Sequence, residues 1–507
     1  MAAAKEDGND TLDELLKDKA RIEELSSDEE EVFKRGNNDA ANVGGGVPFP
    51  GMDQLKPKRK LEYLPPWLHD ASINLFHDDL ETPTSEAQQK TRAECLPLLT
   101  GEDTQGLELN IYGLPHLRRQ KHTDFLRTTF NKLPAPYQVV DASRPWLFYW
   151  TVGGLSFLGE DVTQYRERLI ETVRPLQNPT GGFGGGHGQY SHCACTYATV
   201  LALAAVGGLE VVDRKAMWHW LGTVKQADGG FRMAVGAEED IRGAYCAMTV
   251  ITLLNLPFEL PAEAPARKAG LDTFTDRLGE WVGRCQTYEG GIAGAPNNEA
   301  HGAYAFCALA CLSILDVPHK SIPKYLDVQA LASCLASLQT MPEGGFAGRT
   351  NKLVDACYSH WVGGCWALLQ AALSGGSSGR NSVKLDDLWS REGLVRYLLC
   401  CCQQPGKKGG MRDKPSTRPD GYHTCYSLAG LSAAQNHYSY SKEGQAVDKQ
   451  SGRLIAAFHW TAERPTVGEM KALKFDEEDR VGFVHPVFVL PMDVIEATRR
   501  QFAESRL

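Results

Sequence analysis

"LASCLASLQTMPEGGFAGRTNKLVDACYSHW", Leu331 to Trp361, contains the unit from which most of the chain is built. Leu331, Leu335 and Leu338 fall at i, i+4 and i+7, one apolar face of an amphipathic helix. A glutamine, a Gly-Gly pair and a polar loop follow, and then a segment with a tyrosine near its start. The same order recurs at Gly181-Gly182, Gly229-Gly230, Gly290-Gly291, Gly344-Gly345 and Gly409-Gly410, spaced by 48, 61, 54 and 65 residues. Gln177, Gln226, Gln286, Gln339 and Gln404 precede the pairs, and Tyr197, Tyr245, Tyr304 and Tyr358 follow the first glycines by 16, 16, 14 and 14 residues. Such a period is the mark of stacked two-helix repeats.

The helices that follow the loops, such as "CTYATVLALAAV" and "AHGAYAFCALACLSIL", are apolar nearly all round and therefore buried on both sides. An outer amphipathic layer around an inner buried one closes into a helical toroid. With "DASRPWLFYWTVGGLSFL" as a sixth unit lacking its glycine pair, the expected fold is an all-α (α/α)6 barrel. The inner helices then start at one end of the barrel, where unpaired N–H groups favour an anionic ligand.

The chain has 507 residues, 53 basic against 63 acidic, a net charge of −10 and no dense Lys/Arg block, which argues against a nucleic-acid partner. Fourteen cysteines scattered through apolar segments, with no apolar leader after "MAAAKEDGND", point to core thiols in a reducing, cytoplasmic setting. The apolar run "ATVLALAAVGGLEVV" is shorter than the ~20 residues a membrane span needs, so an integral membrane protein is not expected. Residues 1–60, acidic and then glycine-rich, read as a disordered arm ahead of a barrel domain over 61–507.

Three constellations carry chemistry. Asp355 and Cys357, two residues apart, converge on one ion only if the helix starts between them, and aspartate is a favoured N-cap. A third ligand would be His423, at the equivalent step of the next repeat, or His360, one helical turn after Cys357. Spacing does not choose between them, and a plainer reading remains in which Asp355 caps, Cys357 packs and both histidines are structural. Arg242, His301, Arg349 and Lys352 place cations at the loop-to-helix step of three successive repeats, as a diphosphate would require. Trp146, Tyr149, Trp150, Tyr245, Tyr304, Trp361 and Tyr426 near inner-helix starts would line an apolar pocket.

The segments "GGFGGGHGQYSH", "DIRGAYCA", "EAHGAYAFC", "GGFAGRTNKLVDACYSHW" and "DGYHTCYSLAGLS" resemble the β subunits of protein prenyltransferases, the farnesyl-transferring branch in particular, from about Thr123 to "HPVFVLPMDVIEATRRQF". The resemblance implies an α subunit as partner, farnesyl diphosphate as donor, and the cysteine of C-terminal CaaX proteins such as small GTPases as acceptor. It implies zinc on Asp355, Cys357 and His423, with the fourth position left for the substrate thiol. His301, Arg349, Lys352 and Tyr358 match the diphosphate-binding residues, and Asp413 matches an aspartate linked to magnesium. Lys352 and Tyr358 would serve catalysis beside the zinc ligands. Arg242, Tyr245, Tyr304, Cys307 and Trp361 match the isoprenoid tunnel, Trp146 and Tyr426 its floor, and Trp146, Trp150 and Tyr422 the pocket for the last CaaX residue. Ala303 and His360 depart from the family, which commonly has glycine and an aromatic residue there.

The nearest alternative is a type I geranylgeranyltransferase β subunit, against which the bulk of Trp146 argues. A terpene cyclase would need a DxDD run, which is absent, and "DDLET" and "DDLWS" do not form DDxxD. A pure binding toroid is the non-enzymatic alternative.

Overall fold

The computed structural model describes residues 64–73, 80–131, 133, 135–374, 385, 388–441, 443–448 and 452–502; the expected acidic arm lies outside them. Residues 58–132 and 143–507 form one compact unit, which carries everything described below. The described helical part of the other unit is the turn that begins at Ala135.

Among the described residues, six helix pairs follow one another. The outer members are Arg119–Arg127, Arg166–Val173, Arg214–Val224, Leu278–Arg284, Val328–Ser337 and Arg391–Arg396, the last running on into a π-helical turn, Tyr397–Cys401. The inner members are Arg144–Phe157, Cys193–Val206, Ile241–Leu253, Gly302–Leu315, Tyr358–Trp361 with its continuation Cys365–Ser374, and Gly421–Gln435. Each inner helix packs on the next, and Gly421–Gln435 returns to Arg144–Phe157, so the expected (α/α)6 barrel is formed and the sixth unit is present. Amphipathicity sets the layers: Arg214–Val224 buries Met217, Trp220, Leu221 and Val224 at i, i+3, i+4 and i+7, whereas Cys193–Val206 is buried at nearly every position.

The Gly-Gly pairs are what let the repeats close on one another. A Cβ on Gly181 or Gly229 would lie 2.0 Å from the carbonyl oxygen of Ala216 or Arg277, at the start of the following outer helix, and both glycines have positive φ. Gly409 stands in the same way 2.2 Å from Lys121 O, so the last loop docks on the first outer helix and completes the circle. No side chain fits at these approaches.

The glutamines preceding the pairs tie each loop to that same helix start. Gln286 Nε2 donates to Gly290 O and Asp327 O while its Oε1 accepts from Asp327 N, and Gln339 repeats this with Gly344 and Ser390. Two of the expected glutamines are displaced by one residue. The equivalent positions are Lys225 and Gln403, which share the cross-loop bridge made by Gln177, Gln286 and Gln339, while Gln226 and Gln404 stand one step further on. Counting back from glycine pairs misses this because the connecting loops differ in length.

At the mouth, N–H groups at or just before the inner-helix starts donate to the loop of the next repeat: Cys193 to Met233 O, Ile241 to Gly294 O, Gly302 to Gly348 O and Ala356 to Asp413 O. The opposite end is closed by the C-terminal segment. Gly482 N donates to Phe157 O and Val484 N to Ser432 Oγ, both late in inner helices. The hydroxyls of Tyr245 and Tyr149 then donate to Val487 O and Val489 O at 2.7 and 2.8 Å. No described helix is long and apolar enough to cross a membrane, and all fourteen cysteines are free thiols.

Candidate metal and anion site

Asp355, Cys357 and His423 are all buried and offer ligand atoms within 4.8 Å of one another. Asp355 is not the helix cap that the sequence suggested, because Cys357 holds that position; instead Asp355 Oδ1 accepts from Cys357 N at 2.9 Å in the turn just before Tyr358–Trp361, which brings carboxylate and thiol toward the same point. His423 comes from the first turn of Gly421–Gln435. His360 takes no part in the cluster. It lies among Phe306, Trp361 and Tyr426, fully buried, with neither ring nitrogen hydrogen-bonded, so of the two histidines only His423 stands beside Asp355 and Cys357.

Sequence reasoning missed Asp420, which caps Gly421–Gln435 by accepting from His423 N and whose Oδ2 also accepts from His423 Nδ1–H at 2.7 Å. That bond engages Nδ1 and leaves the buried Nε2 as the ring atom facing Asp355 Oδ1, at 3.2 Å, an ion pair when the ring is charged. The available signal was an aspartate three residues before a histidine at a helix start. Burial by itself would lower the His423 pKa, but Asp420 and Asp355 outweigh it and hold the imidazole well above its usual value. Asp355 is held low despite its burial by His423, by Lys414 and by the Cys357 amide. One thiol, one imidazole and one carboxylate, converging within 4.8 Å, suit a zinc-like cation with room for a further ligand.

Beside this cluster stand the cations. His301 caps Gly302–Leu315, its Nδ1 accepting from Ala303 N, so its proton sits on Nε2 and donates to Tyr358 Oη at 3.2 Å. Burial, then the charges of Arg349 and Arg242, push its pKa down to about 3, leaving a neutral donor. Arg242 is paired with Asp240 and covers the Tyr304 ring; Arg349 is paired with Glu299. Lys352 is exposed on the same loop, its backbone carbonyl accepting from Gln88. The Asp413 carboxylate is buried and engaged by Lys414 N, Lys414 Nζ and Thr417, so it is already neutralised, and a magnesium ion there would have to displace Lys414.

The aromatics form a closed girdle, one from each inner helix: Tyr149, Tyr197, Tyr245, Phe306, Trp361 and Tyr426, with neighbouring centroids 6.0, 5.4, 5.8, 5.6, 4.6 and 6.5 Å apart around the circle. Tyr197 and Phe306 are members that the sequence list of pocket residues lacked; Tyr197 was visible only as a register mark. Trp146 stacks on Trp150 and touches Tyr149 and Tyr197, placing its bulk against the girdle. Trp150 meets Tyr422, which accepts from Trp361 Nε1 at 3.2 Å. Cys307 is buried behind Tyr245, and burial raises its pKa well above that of a free thiol. A second group of metal-type ligands, His116, Asp476 and Asp479, is a structural tie: Asp479 accepts from Leu117 N, Asn110 Nδ2 and His116 Nδ1.

Comparison with known proteins places the chain in a family. Residues 117–490 match the family described as Prenyltransferase alpha-alpha toroid domain. Protein farnesyltransferase subunit beta of Pyricularia oryzae is 52% identical over 84% of this chain and 82% of its own length. The subunit of the same name from Schizosaccharomyces pombe is 38% identical over 70% of this chain and 86% of its own. Among solved structures, Candida albicans protein geranylgeranyltransferase-I complexed with GGPP shares the fold, with a TM-score of 0.56 at 19% identity over 76% of this chain and 99% of that one. The chain therefore belongs to the β-subunit family of the protein farnesyltransferases, enzymes of the protein prenyltransferase class.

Proposed function

We propose that this chain is the catalytic β subunit of a cytoplasmic heterodimer that moves farnesyl from farnesyl diphosphate to the cysteine of C-terminal CaaX proteins, with residues 61–507 as its catalytic domain. The observation that carries the reading is the buried Asp355–Cys357–His423 trio, set beside a cationic mouth and above an aromatic girdle. Zinc bound there would supply a thiolate from a substrate thiol that, at a free pKa of about 8.5, is only about 3% ionised at pH 7.

The chain's own residues do the rest. Asp420 holds His423 in the tautomer that presents Nε2. His301 Nε2–H, the Tyr358 hydroxyl, Arg349 and Lys352 face the side where a departing diphosphate would gather charge, and stabilising that charge lowers the barrier to C1 transfer. The girdle excludes water from the hydrocarbon and holds its C1 end toward the mouth. Trp146, packed on Trp150, Tyr149 and Tyr197, limits depth and favours a fifteen-carbon chain over a twenty-carbon one.

The test is the chain produced with its α subunit. It should hold one zinc, lose it in Cys357→Ala and His423→Ala alike, and modify a CaaX peptide with farnesyl diphosphate in preference to geranylgeranyl diphosphate. A preference for the longer donor would assign the chain to type I geranylgeranyl transfer, and zinc-free active-fold protein would make it a binding toroid.

A further inference from the structure

We propose that Tyr397, on the outer helix of the following repeat, is a positioning residue for the metal loop. Its hydroxyl donates to Asp413 O at 2.6 Å, and that carbonyl also accepts from Ala356 N at 2.8 Å, the peptide between the ligand residues Asp355 and Cys357. The phenol therefore anchors, through one oxygen atom, the short backbone span that sets how far apart the carboxylate and thiol stand. Cys402 Sγ approaches the same carbonyl at 3.8 Å.

The internal repeats make this more than a packing contact. Beneath the second glycine of each pair lies one side chain of the next outer helix: Trp220 under Gly182, Trp281 under Gly230, Cys334 under Gly291, Phe125 under Gly410 and Tyr397 under Gly345. Only the repeat that carries Asp355 and Cys357 places a hydroxyl there. Tyr397 opens the π-helical turn Tyr397–Cys401 that ends this outer helix. Space for the ring is kept by Gly345, where a Cβ would lie 2.6 Å from Tyr397 Cδ1 and 2.5 Å from Val354 Cγ2. The pair that docks the loop thus also admits the residue that braces it.

The inference rests on the reading of the trio as a zinc site. Its test is Tyr397→Phe in the heterodimer, which removes one oxygen and keeps the ring. Zinc affinity, measured by competition with a chromogenic chelator, should fall about tenfold, the lower end of what outer partners of metal ligands contribute, and the visible bands of the Co2+-loaded protein should shift. In metal-free protein, hydrogen exchange at the Ala356 amide should quicken at least threefold while the amides of the Ile241–Leu253 helix keep their protection. Wild type and Tyr397→Phe with equal zinc affinity and the same cobalt spectrum would overturn the role of Tyr397 alone. A wild-type heterodimer that binds no zinc, or keeps it in Cys357→Ala, would overturn the metal reading and the inference with it.

Discussion

Lys225→Gln should stabilise the protein at neutral pH and abolish a pH dependence that the native chain carries. Lys225 Nζ donates to Gly229 O at 2.6 Å and Asp276 O at 3.0 Å, acceptors whose counterparts in other repeats are served by the neutral amides of Gln286 and Gln339. Its ammonium also lies over the Phe231 ring, yet burial pushes the amine from 10.5 down to about 7. Between those two values the unfolded chain binds a proton that the folded chain does not, so stability rises with pH across the window; below about 7 the lysine is charged in both states and the cost of burying it is fully felt. One proton is worth about 1.4 kcal/mol per pH unit, so from pH 7.5 to 9.5 the native chain gains about 2.5 kcal/mol that Lys225→Gln does not. At this chain length 1 kcal/mol moves Tm by about 1 °C, so a variant that melts higher at pH 7.5 should lose roughly 2–3 °C of that lead by pH 9.5. Thermal melts of the two heterodimers in matched buffers would show it. A Tm difference constant across the range would mean that the amine keeps its charge when buried, and the reasoning would fail.

Asp420→Asn should weaken zinc binding by about 10- to 100-fold, because His423 Nδ1–H loses its carboxylate partner; chelator competition reads it, and unchanged affinity would sink the assignment. His360→Phe should raise stability by about 1 kcal/mol, since it removes two buried, unbonded ring nitrogens and keeps the ring among Phe306, Trp361 and Tyr426. Burial holds the His360 pKa down to about 3, so between pH 6 and 8 only the unfolded imidazole titrates, and the gain should be about 0.8 kcal/mol larger at pH 6 than at pH 8 in denaturation curves. Gly344→Ala should cost more than about 2 kcal/mol, because φ is +81° and the new Cβ would sit 2.6 Å from Gly393 O; a smaller loss in Tm would show that the loop can withdraw from the outer helix.

Much of the site was readable in advance because repeats convert sequence spacing into spatial register. Tyr245 and Tyr304 recur after their glycine pairs and both come to the mouth side of inner helices, one in the girdle and one beneath Arg242. The bond from Cys357 N to Asp355 was within reach of local rules, but the helix itself starts later than the sequence suggested, at Tyr358 with Cys357 as its cap. Asp420 was harder, since its partner His423 matters only once the helix places Nδ1 and Nε2 toward two different carboxylates. Lys225 was misread as Gln226 because hydrogen-bond equivalence across a loop is not fixed by residue count.

By itself, the sequence determined the helical layers, the repeat count and the residue types gathered at each helix start, all of which depend on neighbours within one or two turns. Only the tertiary structure decided between His360 and His423, joined six aromatics from six helices into one girdle, paired Asp413 with Lys414, and brought Tyr397 under the metal loop. Those outcomes depend on the closure of the ring, where Gly409 meets the helix at Lys121. Distances between residues hundreds of positions apart are set by that closure, and periodicity along the chain does not encode them.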